Sequence, residues 1–407
     1  MHLQIPSLQS DIKKIGKQKL FFLGSLTSGH MVVHWYQSLL ALMIPLVKLH
    51  LNLTSVQVGM ITTVRFGANA VATLPSGYLA DSYPQYRSFI LSAAIFTFGI
   101  AYFLIGASEK YTWVLLAAGL IGLGTALWHP GATGVLSLRF PDNRGFVLAV
   151  HGVGASIGDA LAPITVGAII LIVSWQGILQ IHLIPAIILA LILSKSVGIL
   201  PEQFIPRPSF GFYLNDIKTL LSSPHVVGIL ASSNLTNMAR FSMLTFLPIY
   251  VTESLGSSSF VVGIYLSLLY AMGMISQPLM GILSDRVGRK VVIVPSLLAM
   301  GLLYVTMVFV PGGISLGIVI GMLGCFFYAI LNIQHSALLD VAPDNVQSST
   351  FGIMILFSVP FSLVSPPLVG YLVTEMGIKV TFWFAAISMF LASAILIPIS
   401  FKKPSKS

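Results

Sequence analysis

The sequence predicts an all-α polytopic membrane protein, with 12 transmembrane helices in two pseudo-symmetric six-helix bundles. Three observations carry this. Charged residues make up 8% of the chain and hydrophobic ones 56%, at a mean hydropathy of +0.92. A soluble surface needs about 25% charged residues, so most of this exterior must face lipid. Apolar runs of the roughly 20 residues needed to cross a bilayer core recur along the whole chain, and the second six repeat features of the first six.

The runs fall near residues 19–47, 55–80, 88–108, 112–137, 146–172 and 177–198, then 223–250, 259–283, 290–310, 314–338, 349–373 and 380–400. Each reads as a helix because lipid leaves every backbone polar group to be satisfied within its own segment. The first follows Lys13, Lys14, Lys17 and Lys19 and continues to about Leu46. That is too long for the 7–15-residue core of a signal peptide, so it reads as an uncleaved first span. The longest polar stretch, 199–222, carries three prolines and divides a half at 1–198 from a half at 223–407. Gly77 and Gly281 stand 204 residues apart, Pro45 and Pro248 stand 203 apart, and "PDN" recurs at 141–143 and 343–345. A duplicated six-span unit is the architecture of a secondary transporter, with its site between the halves near mid-membrane.

Charge gives the orientation. Of 21 Lys and Arg, Arg65 and Arg240 lie inside spans, and only Lys48, Lys110 and Lys379 fall on one side. The other sixteen share the side of the N-terminus, which the positive-inside rule makes cytoplasmic. The scattered clusters behind the net charge of +9 form no basic face interleaved with aromatics, so nucleic acid is not expected as a partner. The single cysteine, Cys325, excludes an intramolecular disulfide. No phosphate loop or HExxH is present, so neither an enzyme nor a cofactor is expected.

"GILSDRVGRK" (281–290) resembles the loop motif of the major facilitator superfamily, with a weaker copy in "GYLADSYPQYR" (77–87). The resemblance implies that superfamily's fold and a cytoplasmic gate built from Gly77, Asp81, Arg87, Gly281, Asp285, Arg286, Gly288, Arg289 and Lys290. Gly281 would admit a close helix approach. Asp285 would pair with Arg286 or Arg289 to latch the cytoplasmic ends. In span 5, Gly154, Gly158, Pro163 and Gly167 have the spacing that lets helices pack closely, and resemble the fifth-span motif of the superfamily's antiporters. Within the superfamily the chain looks most like the fosmidomycin-resistance group of bacterial efflux proteins, on His30 and Gln37, "LTSVQVGMIT" and "LWHPGATGV" with His129. That group usually has an acid where this chain has His34. The likeness implies a monomer in the cytoplasmic membrane.

A charge at mid-bilayer costs at least about 2.5–3.5 kcal/mol, so such residues mark a pathway. Arg65, Asp159 and Arg240 count to mid-depth, and His30 and His34 to the same level. Helical spacing places Asn69 beside Arg65, Asn237 and Asn234 beside Arg240, and Gln37 beside His34. The arginines suit an anionic or zwitterionic substrate; a buried salt bridge between Asp159 and one of them is the alternative. Asp159 is the expected proton carrier, with histidine assisting. The sequence reading is therefore a secondary transporter working by alternating access: proton-coupled efflux of a small organic compound, or import or exchange of organic anions. A metal transporter built on His30 and His34, completed by Asp159 or His151, is the weaker alternative, because no cysteine, acidic cluster or second histidine pair supports it.

Overall fold

A computed structural model describes residues 17–196, 221–341, 347–399 and 401 of the chain. Most of the 199–222 linker lies outside the described residues. The N-terminal half consists of α1 (Lys17–Leu51), α2 (Ser55–Ser82), α3 (Arg87–Ala107), α4 (Tyr111–Arg139), α5 (Arg144–Ile169) and α6, in two segments (Trp175–Ile181 and Leu183–Ser196). The C-terminal half consists of α7 (Pro224–Ile249), α8 (Ser259–Val287), α9 (Arg289–Phe309), α10 in two segments (Ile314–Phe327 and Ala329–Val341), α11 (Gln347–Met376) and α12 (Val380–Leu396). These positions match the twelve apolar runs to within a few residues.

Nine helices among the described residues are long and apolar enough to span a membrane, and α12 is a shorter apolar helix. The two remaining, α2 and α7, are the helices that carry Arg65 and Arg240. Their polar side chains lower the hydropathy, and the bundle accepts them because they line its interior.

Helix ends follow local chemistry. Thr54 and Gln57 form a capping box at the start of α2, each side chain bonded to the other's backbone, which satisfies two otherwise orphaned donors. Ser223 caps α7 just before Pro224, whose missing N–H costs nothing at that position. Gly288, between α8 and α9, has φ +101°, a left-handed backbone that favours glycine.

Within the N-terminal half, α1 packs on α5 and α2 on α4. The span-5 motif explains the first contact: a Cβ on Gly154 would strike the Thr27 carbonyl, and one on Gly158 the Met31 carbonyl. The halves meet through α2 against α11, α5 against α8, and α1 against α7. The first two are equivalent under the six-helix repeat. These contacts lie at mid-depth and toward the end opposite Arg87, Arg139 and Arg289. A Cβ on Gly370 would strike the Ser55 carbonyl, and one on Gly167 would sit 2.9 Å from the Ser259 carbonyl. Thr63 Oγ1 donates to the Leu363 carbonyl at 2.8 Å, the Ile164 N–H donates to Ser267 Oγ at 3.0 Å, and Lys48 reaches Glu253 at 2.6 Å. Thus the span-5 motif serves two interfaces: Gly154 and Gly158 face α1, while Pro163 and Gly167 face α8.

Gly158→Val should cost about 1–3 kcal/mol by overpacking and lower the midpoint of thermal unfolding of the detergent-purified protein. Gly152→Val on the same helix, where a Cβ would meet nothing within 4 Å, is the matched control and should leave the midpoint in place.

Candidate functional site

A cavity of about 190 Å³ lies between the halves, lined among others by His34, Gln37, Arg65, Asp159, Arg240 and Tyr328. It draws on α1, α2 and α5 from one half and on α7, α8 and α10 from the other. Five of the ten residues singled out for substrate or proton therefore share one wall-to-wall space.

Asp159 does not pair with an arginine. Its Oδ2 accepts from His34 Nδ1 at 2.9 Å, with both side chains about one-fifth exposed. The reason is the close α1–α5 packing: the glycines of α5 bring its carboxylate against α1, where His34 stands. The arginines are left without acids. Neither Arg65 nor Arg240 has an ion pair among the described residues. Arg240 lies over the rings of Phe327 and Tyr328, at 4.7 and 4.5 Å. It also donates to Asn237 Oδ1 at 3.4 Å, as the i,i+3 spacing anticipates. Its Nε is buried with no partner. The rings and Asn237 hold the guanidinium without neutralising its charge, so it keeps an unmet demand for an anion.

The other candidates stand nearby in supporting places. Asn69 donates to the Gly122 carbonyl at 3.4 Å, tying α2 to α4. Gln37 lines the cavity and donates to Thr125 Oγ1 at 3.3 Å. Asn234 is buried in α7 outside the cavity lining. His30 and His129 lie behind His34: the His30 ring is 4.7 Å from that of His34 and 5.4 Å from that of His129, and it stacks on His151 at 4.0 Å. This cluster supplies the histidines whose absence weighed against a metal in the sequence. Spacing within one helix gave no sign that α4 and α5 would bring theirs to α1.

The sequence reading missed Tyr270, Tyr328 and Thr125. Tyr328 marks the break in α10, and broken helices often mark transporter binding sites. The two hydrophobic segments gave no warning of it.

At the basic end, Arg289 pairs with Asp285 as expected and also takes Ser284 Oγ at 2.7 Å and Asp340 at 3.0 Å. All four residues belong to the C-terminal half, so these bonds brace that half and do not latch it to the other. Arg286 is exposed. Lys290 caps the carbonyls of Ile397 and Ile399. A Cβ on Gly281 would meet nothing within 4 Å, and one on Gly77 only an ordinary contact with Pro130, so neither glycine serves a close approach in this state. Arg87 is buried and donates to the Ala80 carbonyl at 2.7 Å, closing the end of α2. The side chain of Asp81 lies outside the described residues.

A sequence profile for the Major Facilitator Superfamily matches residues 26–363. Multidrug resistance protein MdtG of Escherichia coli O1:K1, and the same protein of Escherichia coli strain K12, are each 24% identical over 344 residues, which is 83% of this chain and 81% of theirs. A bacterial homolog of the human lysosomal transporter Spinster, solved in an inward-facing and unoccupied conformation, superposes with a TM-score of 0.76 at 15% identity, covering 94% of this chain and 99% of that one. A mutant of the nucleoside transporter NupG gives a TM-score of 0.79 at 15% identity, covering 93% and 99%. At these identities the structural likeness is one of fold.

Asp285 and Asp340 are 62% and 39% exposed, and exposed pairs contribute at most about 1 kcal/mol. Asp340→Asn should therefore move the thermal midpoint by no more than about 4 °C. Arg289→Ala, which removes the shared partner of three groups, should move it further.

Proposed function

The chain belongs to the major facilitator superfamily, whose members are transporters rather than enzymes, and on that premise we propose that it is a proton-coupled exporter of a small zwitterionic organic compound. It is a multi-pass membrane protein. In this proposal it sits as a monomer in the cytoplasmic membrane with both termini inside, and the closed end of the bundle faces outward, making this the inward-facing state.

The observation that carries the substrate class is the pair of guanidiniums, Arg65 and Arg240, on the two sides of one cavity with no ion pair among the described residues. Arginine stays protonated and presents a fork of donors to carboxylate, phosphate or phosphonate. The name of the MdtG relatives supports a drug as cargo. At about 190 Å³ the cavity is below the roughly 300–1,000 Å³ of drug-sized pockets, so this state suits a compact polar guest.

Coupling rests on the Asp159–His34 pair. With one proton shared it is an imidazolium–carboxylate pair of zero net charge; without it the pair carries one negative charge. Antiport requires proton and substrate to compete for one group. A substrate with a cationic substituent meets that condition, because its cation and the proton both seek Asp159 while its acid end rests on the arginines. A purely anionic substrate reverses the sign, since the protonated pair repels it less and the proton would travel with it. That sign argument keeps import or exchange of organic anions as the second reading.

A drug and antimetabolite susceptibility panel on cells with and without the gene identifies the cargo. In inside-out vesicles with an acidic lumen, the wild type should accumulate it. Arg65→Ala and Arg240→Ala should each reduce transport at least about tenfold, the equivalent of one lost charge-assisted hydrogen bond of about 1.5–3 kcal/mol. Undiminished transport in both would rule out their role. Asp159→Asn should lose gradient-driven accumulation but keep exchange; an unchanged pH profile would remove Asp159 from coupling.

A further inference from the structure

We infer that His30, His34 and His129 form a binding site for one divalent first-row transition-metal ion of the zinc class, set in the wall behind the cavity. One ring nitrogen from each of the three lies within 4.8 Å of the others. Three imidazole nitrogens at 2.0–2.1 Å from a tetrahedral ion stand about 3.4 Å apart, so small side-chain adjustments complete the geometry.

The hydrogen bonds behind the rings fix which nitrogens keep a lone pair. His30 Nδ1 is 2.9 Å from the His151 carbonyl, and His129 Nδ1 is 2.9 Å from the Thr125 carbonyl. A carbonyl only accepts, so both Nδ1 atoms carry the hydrogen and both Nε2 atoms keep a lone pair. His34 Nδ1 faces the Asp159 carboxylate at 2.9 Å in the same manner. Each histidine thus has an oxygen acceptor behind it, the outer-shell arrangement that orients histidine ligands toward a metal and raises their basicity.

When the His34–Asp159 pair is without its extra proton, none of the three Nε2 atoms carries a hydrogen, so they cannot satisfy one another. His30 is 8% exposed, and its Nε2 is buried with no partner. A cation that accepts lone pairs answers that arrangement. The donor set decides its class: neutral imidazoles without first-shell carboxylates suit zinc, cobalt, nickel or copper and not magnesium or calcium. Three protein ligands leave a fourth position for water or an oxyanion, and His34, which lines the cavity, gives the ion its way in. Asp159 and His151, the residues sequence spacing offered as further ligands, instead stand behind His34 and His30. The inference does not depend on the direction of transport; it requires the His34–Asp159 pair without its extra proton, so an ion and that proton compete for His34.

The test uses the full chain, purified in detergent with any affinity tag removed, and titrated with Co²⁺ and then Zn²⁺. The expected result is one ion per chain, with visible absorption of four-coordinate cobalt that zinc displaces. X-ray absorption of the zinc-loaded wild type should show three imidazole nitrogens at about 2.0–2.1 Å. His129→Ala and His30→Ala should each weaken binding at least about tenfold, and Asp159→Asn about 10–100-fold through the lost outer-shell bond. His50→Ala and His225→Ala should leave it unchanged. A monodisperse wild type that binds no stoichiometric ion would overturn the site, as would binding that survives His129→Ala or is abolished only by the His50 or His225 variants.

Discussion

Two guanidinium groups held in mid-membrane without carboxylate partners are the constraint around which the rest of the molecule is arranged. A charge there costs at least about 2.5–3.5 kcal/mol on insertion scales, and the fold offsets this only in part. Arg240 rests on the faces of Phe327 and Tyr328 and on Asn237, contacts that hold the side chain in place without neutralising it. Among the described residues that line the cavity the one acid, Asp159, is taken by His34. The site therefore keeps positive charge in reserve beside a group that can gain or lose a proton.

Close helix packing creates that division. The α5 glycines bring Asp159 against α1, and the same helix, through Pro163 and Gly167, meets α8 at the closed end. One element thus sets the position of the acid and forms part of the contact between the halves. The contacts that repeat under the six-helix duplication, α2 with α11 and α5 with α8, rest on backbone-to-backbone approach where a Cβ has no room.

The helices and the superfamily were legible in the sequence because lipid imposes length and hydropathy on each span independently of its neighbours. Partners across helices were not. Spacing along one helix correctly joined Asn237 to Arg240; it also placed Asn69 beside Arg65 but gave no sign of its bond to the Gly122 carbonyl on α4. Shared depth left an arginine open as the partner of Asp159, because nothing in the chain says which helix its own will touch. His129 and His151 look like packing residues when read alone; only the assembled bundle brings them beside His30. Asp340, distant in sequence from the loop motif, joins Arg289 for the same reason.

Competition binding with a charge-matched series measures the reserve of positive charge directly. Labelled substrate bound to the wild type in nanodiscs would be displaced by three compounds of one skeleton: the acid, its zwitterion and its neutral ester. An arginine-lined cavity predicts that the acid and the zwitterion compete while the ester is at least about tenfold weaker, the value of one charge-assisted hydrogen bond. Equal displacement by the neutral ester would contradict it.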